Sequence, residues 1–503
     1  MDGHLVNQAA RQALGAKLLW PSTKDTPAET VAAALDLIAS DPDTPVVELP
    51  LVRDGLYSRL DALVPVEGGW ALQETKSSTF PLKTDKVTPA KVDAHLIDDV
   101  AIQAWVAEES KLPIVRVELN LLNSRWTYLG EDDYNGLFRL RCLDEEVAEL
   151  KPQVVIWLKE ANEVLKGDMP ETTTSKHCSK PYDCQFEEHC KSLEPAPEAH
   201  PIELLPDLAG KNLAAKIKAE NGFTSLVGTP HELLVGKARP MYLRMQKAHT
   251  TGKPVLEKSI KDVLEALPYP RYFFDFEGID LPVPRWSGVR PYEQIPFQWS
   301  CHVETEPGVF KHYAFLDLSG KDPSLGCIER MREVIDENDN GPILVYYQTY
   351  EKGRLQELGV RHPEFYDLTE KYISRLVDLH PMVKEHYYHP GMKGSFSIKK
   401  VLPTIAPELS YDDLEMVQEG TGAQIAYLNA CFSNLGKRVR YELAKNMLAY
   451  CEQDTWAMVV VAYFLEGGRK VPLVPAPDMS PMAPLAYRMT ETEQRQAEEA
   501  ALT

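Results

Sequence analysis

Residues 272–278 read Tyr-Phe-Phe-Asp-Phe-Glu-Gly, a run of aromatics broken by two acids two positions apart. The pattern predicts a strand over 271–276. In a strand, Asp275 and Glu277 share one face, and Phe274 and Phe276 share the other. Two like charges beside an apolar layer are costly unless a cation holds them. The stretch therefore asks for partners elsewhere in the chain.

Two later segments supply candidates. Residues 343–358, ILVYYQTYEKGRLQEL, read as a hydrophobic strand running into a helix, with Glu351 near the helix start. Residues 447–465, MLAYCEQDTWAMVVVAYFL, read as a helix with Tyr450 and Asp454 at i and i+4, on one face. A strand D-x-E, a carboxylate at a later helix start and Tyr-x3-Asp on a late helix together resemble the DEDD exonuclease superfamily, in its tyrosine-bearing, RNase H-like form. The resemblance implies two divalent cations ~3.5–4 Å apart clamping a phosphodiester. Mg2+ or Mn2+ takes hard oxygen ligands, hence carboxylates. It also implies that Asp275 bridges both ions, that Glu277 and Asp454 complete one shell, and that Glu351 serves the other. Tyr450 then positions or deprotonates the attacking water. Where the family has Asp in its second motif, this chain has Glu351; Asp378, in SRLVDLHP, is a rival ligand against its plain reading as the end of a strand or helix.

Residues 386–414 (HYYHPGMKGSFSIKKVLPTIAPELSYDDL) and 290–299 (RPYEQIPFQW) resemble a bacterial domain-of-unknown-function family carrying this exonuclease core. Lys399 and Lys400 follow a Gly-Ser-x-Ser turn at an expected helix start. They are candidate phosphate contacts, although an ordinary capped helix accounts for them equally well.

The N-terminal part carries a second pattern. RLDALVPVEGGWALQETKSS holds Asp61, then Glu74-Thr75-Lys76, with a Gly68-Gly69 hairpin between them. Paired strands place Asp61 and Glu74 together and Lys76 on the face of Glu74. This D…E-x-K arrangement resembles the restriction-endonuclease-like, PD-(D/E)xK fold in its RecB-like form. The resemblance implies that the acids bind metal while the lysine activates water and offsets phosphate charge. Gln103, on the following helix, matches the glutamine motif of those nucleases, a candidate nucleic-acid contact. Beyond it lies KHCSKPYDCQFEEHC, with Cys178, Cys184 and Cys190 spaced for metal or cluster binding. RecB-like nucleases carry a 4Fe–4S iron–sulfur cluster here, with a first cysteine ahead of the nuclease strands, where this chain has none. Three readings stay open: Cys142 as the substitute ligand, a Zn2+ site with His177 or His189 instead, or an empty segment. Cys301, Cys327, Cys431 and Cys451 read as core thiols.

The bulk numbers set the frame. A chain of 503 residues exceeds the ~250–300 residues at which single cores stop growing, so two or three domains are expected. A net charge of −21 excludes a protein coated in basic surface, yet metal sites are themselves built from carboxylates. Residues 210–262 go the other way, with ten Lys/Arg against four acids; a solvated helical face and a phosphate-contacting one are both open. The polar start, MDGHLVNQAARQ, shows no secretory pattern and there is no run of 18 apolar residues, so a cytoplasmic protein without a disulfide framework is expected.

The expected architecture is α/β: a RecB-like nuclease domain over 1–195, a basic helical connector over 196–265, a DEDD exonuclease-like domain over 266–470 and a Pro-rich, acidic tail over 471–503. The proline-rich stretch 193–206 is the expected linker. Expected strands are 46–52, 57–66 and 70–76, more strands near 113–128, then 271–276, 294–303, 309–316 and 342–347. The resemblances imply a metal-dependent nuclease, a 3′→5′ exonuclease on single-stranded DNA ends, in DNA processing, repair or antiphage defence. One rival is an RNA or oligonucleotide 3′→5′ exonuclease with a degenerate first module. Another is a non-catalytic nucleic-acid-binding subunit of a defence complex. The acidic surface suggests a protein partner, such as a helicase or a defence-complex subunit.

Overall fold

The alternation in residues 46–79 folds into three antiparallel strands: β1 (Val46–Arg53), β2 (Leu56–Val66) and β3 (Gly69–Thr79). Two helices precede them, α1 (Asp2–Ala13) and α2 (Pro27–Ser40), the second closed by a Thr26/Glu29 capping box. Helix α3 (Ala94–Glu109) crosses back so that β4 (Ile114–Leu122) lies parallel to β3, the connection a parallel pair requires. Strand β5 (Phe138–Cys142) and helix α4 (Asp144–Lys166) follow, and the sheet order is β1-β2-β3-β4-β5. Leu49, Leu60, Leu63 and Leu72 pack with Val100, Ala101 and Ala104 of α3 as the core. Gly69 is needed at the hairpin because a Cβ there would lie 2.1 Å from the Pro113 carbonyl oxygen, which accepts the Trp70 N–H.

This computed structural model describes residues 2–467 except 16, 25, 86, 197, 258, 259 and 410–419. The expected tail over 471–503, and Lys258 of the basic stretch, lie outside the described residues. Contacts divide the chain into two compact units: residues 1–195 with 280–293, and 196–279 with 294–503.

Helix α5 (Glu187–Leu193) closes the first unit; in the second come α6 (Asp207–Asn221), α7 (Arg239–Thr251), β6 (Val255–Leu256) and α8 (Ile260–Glu265). A second sheet, in the order β11-β10-β7-β8-β9, contains β7 (Arg271–Asp280), β8 (Gln294–Glu306), β9 (Val309–Leu316), β10 (Ile343–Val345) and β11 (Leu376–Asp378). β7, β10 and β11 run parallel, and β8 and β9 form an antiparallel hairpin. The helices are α9 (Ser324–Val334), α10 (Thr349–Arg361), α11 (Tyr366–Ser374), α12 (Leu379–His386), α13 (Ile398–Ile405), α14 (Gly420–Phe432) and α15 (Lys437–Leu465); β12 (Tyr387–Tyr388) pairs with β6. The chain is thus a mixed α/β protein, without a helix among the described residues long and apolar enough to cross a membrane.

Three expectations are redrawn. Of the strands expected near 113–128 one forms, β4, ending at Leu122; residues 123–137 loop instead, held by a stack of Tyr128 on Tyr134 at 5.2 Å. The proline-rich stretch is ordered in its second half, where Ile202 and Leu205 are buried and the Ile202 N–H donates to the Thr224 carbonyl. The basic stretch does not stand apart as a connector. Arg244 is buried and donates to Glu257 and to the backbone carbonyls of Lys384 and Glu385, so part of that charge serves internal packing.

Arg271, at the start of β7, shows how strongly this sheet is pinned. Its buried guanidinium bonds Glu466 at 2.6 Å and the carbonyls of Leu264 and Leu267, with Glu304 3.8 Å away. Removing it strands two buried carboxylates. Arg271→Ala is expected to cost about 3–5 kcal/mol in denaturant unfolding followed by tryptophan fluorescence; an unchanged midpoint would show that Glu304 and Glu466 find other partners.

Candidate metal centre

β7 presents Asp275 and Glu277 on one face, as alternation requires, while Phe274 and Phe276 pack edge-to-face on the other at 4.6 Å. Helix α15 brings Asp454, and one carboxylate oxygen from each of Asp275, Glu277 and Asp454 lies within 4.8 Å of the others. Glu351, in the first turn of α10, is 2% exposed and has one buried oxygen without a hydrogen-bond partner. It is close enough to raise the pKa of Asp275 and of Glu277. Tyr450, one turn before Asp454, is buried beside the same carboxylates.

Burial is the first cause of every resolved shift in this pocket, and mutual repulsion the next for the acids on β7. Asp275 is pushed well above the carboxylate range by burial, then by Asp454, Glu277 and Glu351. Glu277 is raised to about 8 by burial and Asp454, with Lys399 pulling the other way. Glu351 is raised to about 8 by burial; its own backbone N–H opposes, Asp378 adds to the rise and Arg354 pulls the other way. Burial and the three acids push the Tyr450 phenol upward too. Burial and mutual repulsion thus favour the protonated acids in the absence of a cation, and a bound cation would favour the carboxylates.

The remaining candidates take distinct places. Asp378 is engaged by the backbone: its carboxylate accepts from the N–H groups of Tyr347, Gln348 and His380. That fixes the turn entering α10, a positioning role for Glu351. Lys399 stands 4.9 Å from the Tyr450 ring, whereas Lys400 is exposed. Two neighbours escaped the sequence reading. Cys451 lies 3.8 Å from the Asp275 carboxylate. The Tyr350 hydroxyl occupies the space a Cβ at Gly278 would fill, 2.7 Å from it, which accounts for the glycine ending YFFDFEG. The residue before Glu351 was a visible signal for Tyr350; Cys451, an apolar-looking thiol, gave none.

In the first unit the hairpin register runs Ala62 to Gln73 and Leu63 to Leu72, which sets Asp61 opposite Glu74. Asp61 accepts the Thr75 N–H at 2.9 Å. Lys76 bonds Glu74 at 2.8 Å and Asp99, on α3, at 2.6 Å. Gln103 donates to Asp99 and keeps a buried, unpartnered carbonyl oxygen. Glu74 is raised to about 7 by burial and by Asp61, against the pull of Lys76. Burial works to lower Lys76, but Glu74 and Asp99 overcome it and keep the ammonium charged. Asp99 was missed by sequence reading; its signal is the i, i+4 spacing to Gln103. The cysteines behave differently. Cys184 is exposed and Cys178 and Cys190 partly so, and they are not among the groups of ligating side chains that converge within the described residues.

Residues 272–397 match a family described as Domain of unknown function (DUF2779); the match includes Asp275, Glu277 and Glu351 and stops before Tyr450 and Asp454. The chain is similar to the uncharacterized protein MG366 homolog of Mycoplasma pneumoniae, 26% identical over 275 residues, 49% of this chain and 41% of that protein. It is also similar to the uncharacterized protein UU173 of Ureaplasma parvum, 27% identical over 225 residues, 41% of this chain and 32% of that one. The chain thus spans less than half the length of these curated relatives. The matches are thus likenesses to a domain of unknown function and to uncharacterized bacterial proteins. No solved structure matches.

The pocket's acids give a pH prediction for the metal-free protein. Glu277 and Glu351 move from 4.5 to about 8 on folding, so their contribution to stability is full below 4.5 and is lost as pH rises through about 8. In chelator, the melting temperature should fall from about pH 5.5 to about pH 8.5, and the rise produced by Mg2+ should grow over the same window. An equal Mg2+ effect at both ends would contradict the proton–metal exchange.

Proposed function

We propose that the second unit is a divalent-metal-dependent phosphodiesterase of the exonuclease type, acting 3′→5′ on single-stranded nucleic acid, with DNA the favoured substrate. The observation that carries this reading is the convergence of Asp275, Glu277 and Asp454 with the unpartnered Glu351 oxygen. The donor set fits Mg2+ or Mn2+, since it is all carboxylate and includes a buried oxygen lacking a partner. Asp275, Glu277 and Asp454 would hold one ion, and Asp275 with Glu351 a second. Bound there, such ions stabilise charge developing on a phosphodiester and make a water more acidic.

The chain's own groups do the rest. Asp275 and Glu277 are fixed by strand pairing, and Asp454 by the long helix, so the ligands are held on rigid elements. Glu351 has one methylene more than the aspartate of the DEDD pattern, and the Asp378-anchored turn sets its reach. Tyr450, kept protonated by its surroundings, orients a water as a hydrogen-bond donor. Lys399, beside both Tyr450 and Glu277, is placed to meet a substrate phosphate.

For the first unit, the Asp61/Glu74/Lys76 group supports a second PD-(D/E)xK nuclease site. Lys76 is already tied to two carboxylates, which favours metal binding coupled to its release. The cysteine segment presents no assembled site for a 4Fe–4S cluster or zinc.

Separate knockouts on labelled substrates test both units. Asp275→Asn should abolish single-nucleotide release from free 3′ ends, and Tyr450→Phe should slow it by about 10²-fold or more. Glu74→Ala should leave that release intact. Degradation that ignores a blocked 3′ end would overturn the polarity; faster release from RNA would favour the oligoribonucleotide reading; no cleavage with Mg2+ or Mn2+ would favour a non-catalytic binding subunit.

A further inference from the structure

A second convergent group joins the β8–β9 hairpin to α15. His302 and His312 are direct cross-strand partners, their rings stacked at 4.5 Å. Both are buried, 1% and 4% exposed. Glu452 of α15 points to them, and one ligand atom from each of the three residues lies within 4.8 Å of the others. Glu452 sits two residues before Asp454 on the helix, so its side chain leaves on a different side.

The ring nitrogens divide into two sets. His302 Nδ1 is hydrogen-bonded to the Thr455 hydroxyl at 2.8 Å, and His312 Nε2 to the Ser300 hydroxyl at 2.8 Å. Ser300 and Thr455 bond each other, and Thr455 donates to the Glu452 carbonyl. Since Thr455 has a single proton and spends it on that carbonyl, Ser300 and His302 Nδ1 must both donate to Thr455. Ser300 then has only an acceptor left, which His312 Nε2–H fills. This proton order leaves a lone pair on His302 Nε2 and on His312 Nδ1. Those two nitrogens are the ones buried without a hydrogen-bond partner, and His312 Nδ1 lies 3.6 Å from the Glu452 carboxylate. Burial holds both imidazoles below their ordinary range, His312 at about 4, so both are neutral as a metal requires.

We propose that His302 Nε2, His312 Nδ1 and the Glu452 carboxylate bind a divalent transition metal, zinc being the best fit, which fastens α15 to the β8–β9 hairpin. Two imidazoles and a carboxylate are a zinc donor set. Imidazole ligands with the far ring nitrogen bonded to a hydroxyl have the outer support that such sites use. Mg2+ is disfavoured because it prefers all-oxygen shells. Glu452 is partly exposed, which leaves the ion a way in. The inference does not rest on the exonuclease reading.

The test uses the full chain carrying Cys178→Ser, Cys184→Ser and Cys190→Ser, so that thiols do not contribute. The protein is stripped with chelator, given excess Mg2+ to occupy the acidic pocket, loaded with Zn2+ and desalted. Its zinc content and melting temperature are then compared with those of the same chain bearing His312→Gln or Glu452→Gln. One bound zinc per chain and a zinc-dependent rise in melting temperature, both lost in the two variants, are expected. Equal zinc content and an equal rise in parent and variants would overturn the site. Should His312→Gln fail to fold, Glu452→Gln, at the partly exposed position, decides alone in the same way.

Discussion

Repulsion among acids that the fold refuses to separate organises the second unit. Asp275 and Glu277 cannot part because strand alternation puts both on one face of β7. Asp454 cannot retreat because α15 packs along β8 and β9, and Glu351 is sealed in the first turn of α10. Burial and mutual charge then push the resolved pKa values of Asp275, Glu277 and Glu351 upward. A folded chain accepts such a cost where cations or protons relieve it. The surrounding devices read as support for that arrangement: Asp378 pinning the turn into α10, Gly278 leaving room for Tyr350, and Arg271 anchoring the base of β7.

The two acidic centres solve the same problem differently. In the first unit the compensating cation is built in, since Lys76 bridges Glu74 and Asp99. In the second, the acids face one another, with Lys399 as a nearby positive charge. The His302–His312–Glu452 group is a third solution, in which neutral nitrogen donors carry most of the site. The ligand sets differ in hardness, so oxygen-seeking and nitrogen-seeking ions can be sorted between them.

Much of this was legible in the chain before its structure. The strands at 46–79 and 294–316 announce themselves by period-two patterning and glycine hairpins. Helices α3 and α15 announce themselves by apolar spacing, and YFFDFEG by acids that no lone strand would bury. What stayed hidden depended on tertiary position. β11 is three residues long, too short for a period. Arg244 looked like surface charge until its carbonyl partners closed over it. His302 and His312 are ten residues apart and meet only through the hairpin's register, and Asp99 becomes part of a site only when α3 packs on the sheet and Lys76 reaches it.

The account rests on the pocket at Asp275 being a cation site, and anomalous scattering from crystals soaked in Mn2+ tests that most directly. Manganese peaks within bonding distance of Asp275, Glu277 and Asp454, with a second beside Glu351 at higher concentration, are the predicted result. A saturated soak that places manganese only on surface carboxylates, with the four acids bonded to one another through protons, would contradict it.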